Sequence, residues 1–329
     1  MSDSNQITSV AEAIRAFDSP EFRKFRKFEI RDYRVGTEYK YPFGIWFRGL
    51  ADVRWKLTPG IFRQSRRVYI EETSMFHVFQ LRLSEHRHIY QSTFDWLCLM
   101  QHYEMPTRLL DWTENVLIAL FFAVNDVRAQ HSDAKLCVLN ARLLNKHTTH
   151  SSRRSRSNIC TPTHFDTIAR AELAVVRNLE HYSDSLNKMF EASDLTERER
   201  SEISKDLDKW VPEARDWVAS PVAVFPSRLN RRMVLQSSMF TIHGGKCLRS
   251  NHQKRELPRP RTLEEINDAL ARRDQFLKTY LIPKKKKEKI RSELLTLGIH
   301  YGSLFPEIDK QAAYIKEQWR FDRHAPPDR

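Results

Sequence analysis

Residues 101–124, QHYEMPTRLLDWTENVLIALFFAV, place a dense group of polar side chains directly before an apolar run. The polar half contains Gln101, His102, Glu104, Thr107, Arg108, Asp111 and Trp112. The apolar half, residues 116–124, has apolar neighbours all round, which predicts a helix buried on most sides. Thr113 is its predicted N-cap. Polar groups beside such a helix are expected at the edge of a core, so this stretch predicts the position of the site.

The composition predicts a soluble globular protein with a substantial core. Of the 329 residues, 40% are hydrophobic and 29% are charged, as in folded proteins. The 8 glycines are too few for a glycine-looped nucleotide fold to be expected. No apolar run approaches the roughly 20 residues that span a bilayer, and the N-terminus lacks the features of a signal peptide. We therefore expect a cytoplasmic protein without membrane contact.

Charge and cysteine content restrict the partners and the chemistry. The formal net charge of +13 favours anionic partners such as a nucleotide, a nucleic acid or an acidic protein. Cys98, Cys137, Cys160 and Cys247 are widely spaced, and none belongs to a CxxC pair. HExxH, Walker, GxGxxG and GxSxG patterns are absent from the sequence. We expect no metal and no disulfide framework.

Hydrophobic periodicity predicts an α+β fold, with a small, mostly antiparallel sheet surrounded by helices and residues 114–126 as one central buried helix. The predicted strands are residues 41–57, 134–140, 221–225, 232–243 and 276–282. Capping signals predict helix starts after Ser9 and Thr262, each followed by an acidic residue three positions on. Ser92 or Thr93 is expected to cap a further helix.

Four segments are predicted to form one globular unit. Residues 1–29 read as an N-terminal helical segment, and residues 30–145 contain the core. Residues 146–220 begin with the basic, Ser-rich sequence KHTTHSSRRSRSN, a surface loop, and continue as a charged helical insertion. Residues 221–329 add the strands and helices that complete the unit.

Several separated motifs resemble those of the FRG domain family. WFRGLADVRWKLTPGIFR, at residues 46–63, is similar to the family's aromatic-Arg-Gly motif with its Pro-x-x-aromatic-Arg tail. Residues 101–124 are similar to its Gln-His and Pro-Thr-Arg-Leu-Leu-Asp-Trp-Thr signature. RRMVLQSSMFTIHG, at residues 231–244, is similar to a later stretch, except that Ser stands where a second Gln and a Gly are expected. The resemblance, which spans residues 41–316, implies a bacterial or phage protein with a toxin or defence role.

Arg48 is the strongest single candidate for ligand binding. An arginine between an aromatic strand and a glycine offers a rigid fork of donors suited to a phosphate or carboxylate, and Gly49 allows close approach of a ligand. The alternative is a structural arginine paired with an acid such as Asp111. Residues 46–49 are also similar to the first strand of the NAD site in some ADP-ribosyltransferases. That likeness implies a later serine strand, here Ser237 and Ser238, and a completing glutamate, for which Glu307 is the candidate.

His102 and Asp111 are predicted to form an acid–base pair, with Gln101 orienting the ligand. The alternative is that the two side chains only cap helix ends. Trp46 is expected either to stack on a ring of the ligand or to belong to the core. The predicted ligand-binding set is Trp46, Arg48, Gly49, Thr107, Arg108, Gln236 and Ser238.

Three functions agree with these observations. The first is a toxin-like or defence-type enzyme that acts on NAD or a nucleotide-like ligand, as an ADP-ribosyltransferase-like transferase. The second is a nucleic-acid-binding protein or metal-independent nuclease that uses the basic runs at residues 153–156 and 284–289. The third is a non-catalytic sensor that binds a ligand in its pocket and a partner protein on its surface.

Overall fold

A six-stranded antiparallel sheet forms the centre of the fold. The computed structural model describes residues 5–26, 29–32, 37–40, 44–63, 70–149, 159–175, 218–245 and 260–319. The strands of these ranges are β1 (Glu29–Asp32), β2 (Thr37–Lys40), β3 (Ile45–Leu50), β4 (Leu109–Thr113), β5 (Ala134–Asn140), β6 (Val222–Val224), β7 (Ser238–Ile242) and β8 (Leu277–Ile282). The sheet order is β6-β7-β4-β3-β5-β8, and β1 and β2 pair separately. The single sheet takes strands from both the predicted core and the predicted C-terminal segment.

Helices cover both faces of the sheet. They are α1 (Val10–Asp18), α2 (Pro20–Arg26), α3 (Glu72–Arg82), α4 (Thr93–His102), α5 (Val116–Val124), α6 (Ala141–Thr148), α7 (Phe165–Val175), α8 (Arg231–Leu235), α9 (Leu263–Asp268), α10 (Lys287–Thr296), α11 (Tyr301–Leu304) and α12 (Ile308–Gln318). Short 3-10 helices occur at Gly60–Phe62, Ser84–His86, Val127–Ala129, Arg272–Asp274 and Lys284–Lys286. The α+β fold class predicted from the sequence is confirmed. Within the described ranges, every helix is too short or too polar to cross a membrane.

Side chains alternate between two faces along each strand. On the first face, Phe47 packs under α5, while Leu109 and Phe240 pack under α3 and α4. On the second face, Trp46 and Trp112 pack against α6 and α9. The first face therefore carries two separate core clusters, one beneath α5 and one beneath α4.

The central helix α5 lies against β3 with almost no space between the two backbones. A Cβ atom on Gly49 would lie 1.9 Å from the carbonyl oxygen of Ala119 and 2.6 Å from the amide nitrogen of Ala123. Gly49 thus permits the close approach of the helix α5, and not that of a ligand as the sequence predicted. Asn115, not the predicted Thr113, caps α5 through the amide of Leu117.

Several predicted helix ends are confirmed by their capping bonds. The hydroxyl of Ser9 accepts from the amide of Glu12, and that of Thr262 accepts from the amide of Glu265. Ser92, the first of the two alternatives, forms a reciprocal capping box with Asp95. Residues 150–158, 176–217 and 246–259, which include most of the predicted basic loop, most of the helical insertion and Cys247, lie outside the described residues. The prediction of a surface loop was wrong for residues 146–148, which belong to α6 and of which Thr148 is buried.

The sequence prediction was wrong for three segments of the sheet. The predicted strand segment at residues 41–57 ends at Leu50 and gives way to turns, whereas residues 109–113, which are not among the predicted strands, form β4. The first half of the predicted strand at residues 232–243 is the helix α8, and Ser237, which follows it, has a left-handed φ of 46°. These apolar runs fit a short buried helix and a short buried strand equally well.

Candidate functional site

The sheet is split between β3 and β4, and a cleft opens at the split. β3 pairs with β5 through six residue pairs, but its register with β4 consists of Phe47 opposite Thr113 alone. Continued pairing would set Gly49 opposite Asp111. Because the strands separate before that point, the polar groups of β4 face a gap instead of a neighbouring strand.

The cleft has a volume of about 740 Å³. Its walls come from β3, β4, the turns after β3, the ends of α4, α5 and α8, and the start of β7. The lining residues are Phe47, Arg48, Gly49, Leu50, Ala51, Trp55, Lys56, Thr58, Phe62, Arg63, Gln101, Asp111, Trp112, Thr113, Ala119, Phe122, Asp126, Arg128, Arg232, Gln236 and Ser238. This volume lies in the range of pockets that hold a cofactor-sized molecule.

Positive charge predominates in the cleft. Five cationic side chains line it, against the carboxylates of Asp111 and Asp126. The cationic residues are Arg48, Lys56, Arg63, Arg128 and Arg232. Asp126 is already paired with Arg128 through two hydrogen bonds, of 3.0 and 2.6 Å. Among the lining residues, Asp111 is then the one carboxylate left for Arg48, Lys56 and Arg63. The cleft therefore favours an anion.

Arg48 extends into the split between the strands. Its Nη1 donates to the carbonyl oxygen of Asp111 at 2.5 Å and lies 3.5 Å from the Oδ2 of the same residue. Its Nε is shielded from solvent and has no hydrogen-bond partner among the described residues. Arg48 therefore contacts Asp111, as the structural alternative predicts, and also lines the cleft.

Arg63 is electrostatically coupled to Arg48. The pKa of Arg63 lies below its ordinary value, first because the surrounding protein displaces water and second because the charge of Arg48 repels its proton. The charge of Asp111 acts in the opposite direction. Both guanidinium groups line the same cleft, an arrangement suited to a multiply charged anion.

Polar side chains from α4 and β7 complete the cleft. Gln101 lines it while its Oε1 accepts from the hydroxyl of Thr107, which is buried. Gln236 donates through Nε2 to the carbonyl oxygen of Leu304 at 3.1 Å. Ser238 opens β7 at the cleft wall.

Arg108 lies beneath the cleft and does not line it. The side chain is 2% exposed and forms two hydrogen bonds with the carboxylate of Glu72, the one from Nε being 3.0 Å long. Its Nη1 donates to the carbonyl oxygen of His243 at 2.7 Å, and its guanidinium lies 5.6 Å from the centre of the Phe62 ring. Its Nε, Nη1 and Nη2 already donate to these partners, so Arg108 does not have the predicted ligand-binding position. It instead links Glu72 to the chain at His243 behind the cleft.

A buried hydrogen-bonded chain also supports the floor. Trp112 donates through Nε1 to the hydroxyl of Thr241 at 3.2 Å, and that hydroxyl lies 3.0 Å from Nε2 of His243. The indole is only a donor, so the hydroxyl accepts from it and shares a second hydrogen bond with Nε2 of His243. Burial, reinforced by the charges of Arg108, Arg170 and Arg48, lowers the pKa of His243 to about 3.

His102 faces Glu307 instead of the predicted partner Asp111. The imidazole Nε2 lies 3.5 Å from the carboxylate of Glu307, which is also 4.0 Å from Arg232. Burial, followed by the charge of Arg232, lowers the pKa of His102, while Glu307 raises it. The predicted acid–base pair of His102 and Asp111 is thus not formed, since Asp111 contacts Arg48.

Six of the ten predicted site residues line the cleft: Arg48, Gly49, Gln101, Asp111, Gln236 and Ser238. Trp46 points to the second face of the sheet, where it is fully buried in the cluster beneath α6 and α9, and it does not line the cleft. Thr107, Arg108 and His102 lie behind the walls. The prediction missed Trp55, Lys56, Phe62 and Arg63, although all four occur within the aromatic-Arg-Gly motif and its tail.

The basic run at residues 284–289 is only partly a solvated surface. Lys287 is 3% exposed, and its Nζ donates to the carbonyl oxygens of Ala51 and Ala129, each at 2.7 Å. Ala51 lines the cleft. Lys287 therefore ties α10 to the turn after β3.

Titratable side chains in the described part of the chain do not cluster as metal ligands would. No group of three or more His, Cys, Asp or Glu side chains there is arranged to hold a metal ion. Cys98, Cys137 and Cys160 are buried and free.

A comparison with protein-family models supports the relationship that the motifs indicate. The family model of the FRG domain matches residues 44–132, which contain β3, β4, α5 and most of the cleft lining. Searches of the curated proteins and of the solved structures found no significant match. The chain therefore contains an FRG domain, and this domain supplies most of the cleft.

Proposed function

We propose that the cleft binds NAD or a nucleotide of similar chemistry, and that the protein is an ADP-ribosyltransferase-like enzyme. The observation that carries the proposal is the excess of guanidinium groups in a cleft of about 740 Å³. Phosphate oxygens match the donors of arginine in charge and geometry. The toxin or defence role that the family resemblance implies agrees with such an activity.

The other cleft residues suit the remaining parts of a nucleotide. Trp55 and Phe122 are large apolar side chains, 38% and 37% exposed, that offer surfaces for a base or a nicotinamide ring. Gln101 and Ser238 offer hydrogen bonds to ribose hydroxyls. A pocket with apolar walls and a few placed polar groups is the usual form of a small-molecule site.

The proposed reaction breaks the bond between the nicotinamide nitrogen and the anomeric carbon of the ribose. Nicotinamide leaves with the electron pair of that bond, and a nucleophile of the acceptor attacks the anomeric carbon and loses its proton. The split in the sheet would hold the diphosphate of NAD at Arg48 and Arg63, with the ribose towards Gln101.

The test compares nucleotide binding and nicotinamide release in two variants. We expect Arg48→Gln to weaken the binding of NAD at least about ten-fold, because a charge-assisted pair is lost. Arg273→Gln is the matched control, since the Arg273 side chain is 88% exposed and does not line the cleft. Saturable binding that Arg48→Gln leaves unchanged, or no binding of any nucleotide to the wild type, would overturn the proposal.

Nicotinamide release then separates an enzyme from a sensor. Wild-type protein incubated with NAD and a mixture of protein or nucleic-acid acceptors should release nicotinamide, and Arg48→Gln should release less. Saturable NAD binding without any release would support the sensor function instead. Binding to RNA or DNA that weakens steeply with salt, without binding of NAD, would support the nucleic-acid function.

A further inference from the structure

Asp111 is an exposed acidic residue in an otherwise buried strand. The other four residues of β4 are buried, whereas the side chain of Asp111 is 53% exposed. It projects from the first face, between the two core clusters, into the cleft. An acid at this position gains no packing with the core.

The carboxylate of Asp111 balances the charge of two guanidinium groups only in part. It lies 3.5 Å from Arg48, longer than the roughly 2.7–2.9 Å of a strong charge-assisted hydrogen bond. It also acts on the proton affinity of Arg63. One weakly held carboxylate therefore faces two cations, and Nε of Arg48 lacks a partner within the described structure.

The main chain of Asp111 is held independently of its carboxylate. Its carbonyl oxygen accepts from Arg48 at 2.5 Å, and β4 is paired with β7 along its whole length. The side chain can therefore rotate towards water without disturbing the strand or the position of Arg48.

We propose that Arg48 and Arg63 form a subsite for a phosphoryl group, and that the carboxylate of Asp111 is a resident anion that the phosphoryl group displaces. This inference rests on the proposed function and assigns the charged part of the ligand to one place in the cleft. A phosphoryl group carries more charge and more acceptor oxygens than a carboxylate, so it satisfies both guanidinium groups better. This role of Asp111 as a displaceable anion differs from the acid–base role that the sequence predicted for it.

The test measures the affinity of AMP and of adenosine, which differ only in the phosphoryl group. We expect Asp111→Asn to bind AMP roughly ten-fold more tightly than the wild type, because the competing anion is removed. Adenosine should bind equally to both proteins. Asp111→Ala should behave as Asp111→Asn does, which separates loss of charge from any new contact of the amide.

Asp126→Asn is the matched control. It removes the same charge from the same cleft, but at the carboxylate that is paired with Arg128. A smaller gain than that of Asp111→Asn supports a local subsite, whereas equal gains would show a general field effect and overturn the inference. If the wild type binds AMP and Asp111→Asn binds it no better, the inference fails while the proposed function stands. If the wild type binds neither NAD nor AMP, both fail.

Discussion

Substitution of Gly49 by alanine tests how closely the central helix α5 packs against β3. The new Cβ would lie 1.9 Å from the carbonyl oxygen of Ala119, a backbone atom that cannot rotate away. Contacts of a real Cβ begin near 3.0 Å, so the two backbones must separate by at least 3.0 − 1.9 = 1.1 Å. Since Ala119 and Phe122 line the cleft, this shift would also change its width.

The expected loss of stability follows from two opposing effects. Overpacking of a core costs about 1–3 kcal/mol, and this clash, made with two backbone atoms, belongs at the upper end or above it. Replacement of glycine reduces the entropy of the unfolded chain and returns about 0.4–1 kcal/mol. The free energy of unfolding should therefore fall by about 2 kcal/mol or more, which for domains of 150–250 residues lowers Tm by roughly 2–4 °C per kcal/mol.

Urea unfolding followed by circular dichroism measures this change. Gly60→Ala serves as the control, because the nearest atom to its new Cβ is 3.3 Å away and the residue lies outside the cleft. We expect Gly60→Ala to unfold at nearly the wild-type urea concentration. If Gly49→Ala also unfolds at nearly the wild-type urea concentration, the close packing of α5 against Gly49 is refuted.

Three further predictions concern buried polar groups. Arg108→Met should lower the free energy of unfolding by about 3 kcal/mol or more because it leaves the Glu72 carboxylate buried without its cation; in urea unfolding, the exposed-pair variant Arg23→Met should lose less than about 1 kcal/mol. His243 has a pKa of about 3 in the fold and an ordinary value of 6.5, so the unfolded chain binds its proton more readily between these values. The stabilisation is therefore fully present above pH 6.5, and below pH 6.5 the free energy of unfolding decreases as the pH is lowered, by up to about 1.4 kcal/mol per pH unit. In urea unfolding, the free energy lost between pH 7 and pH 5 should be smaller for His243→Gln than for the wild type. Lys287→Met should leave two carbonyl groups without their donor and cost about 2 kcal/mol, measured by scanning calorimetry.

The parts of the fold that the sequence predicted well depend on local signals. The strand at residues 134–140 and the caps at Ser9 and Thr262 were located to the residue, because hydrophobic runs and capping bonds act over a few positions. β4 was missed because its polar centre, Asp111, interrupts the apolar pattern of a buried strand. That interruption arises from the cleft, which is a tertiary feature.

The motifs predicted some members of the cleft and not others. They placed Arg48, Gln101 and Asp111 in one candidate site, and these three residues line the cleft. The motifs do not show which arginine pairs with a buried carboxylate. Glu72, which pairs with Arg108, lies 36 positions away in the sequence. Distant pairs of this kind decide which charged residues remain available to a ligand.

The three residues that name the FRG motif perform three separate tasks in this chain. Phe47 packs beneath α5 and forms the single registered pair that joins β3 to β4. Gly49 removes the side chain that would keep α5 away from β3. Between them, Arg48 occupies the gap where the ladder stops and donates to the carbonyl oxygen that a continued strand would have paired. The side chain of Arg48 thus replaces part of the hydrogen bonding between β3 and β4, and the space left between the two strands forms the cleft. This arrangement requires an arginine with its long, forked side chain, because a lysine in its place would reach the same carbonyl with a single point charge and leave no second edge for an anion.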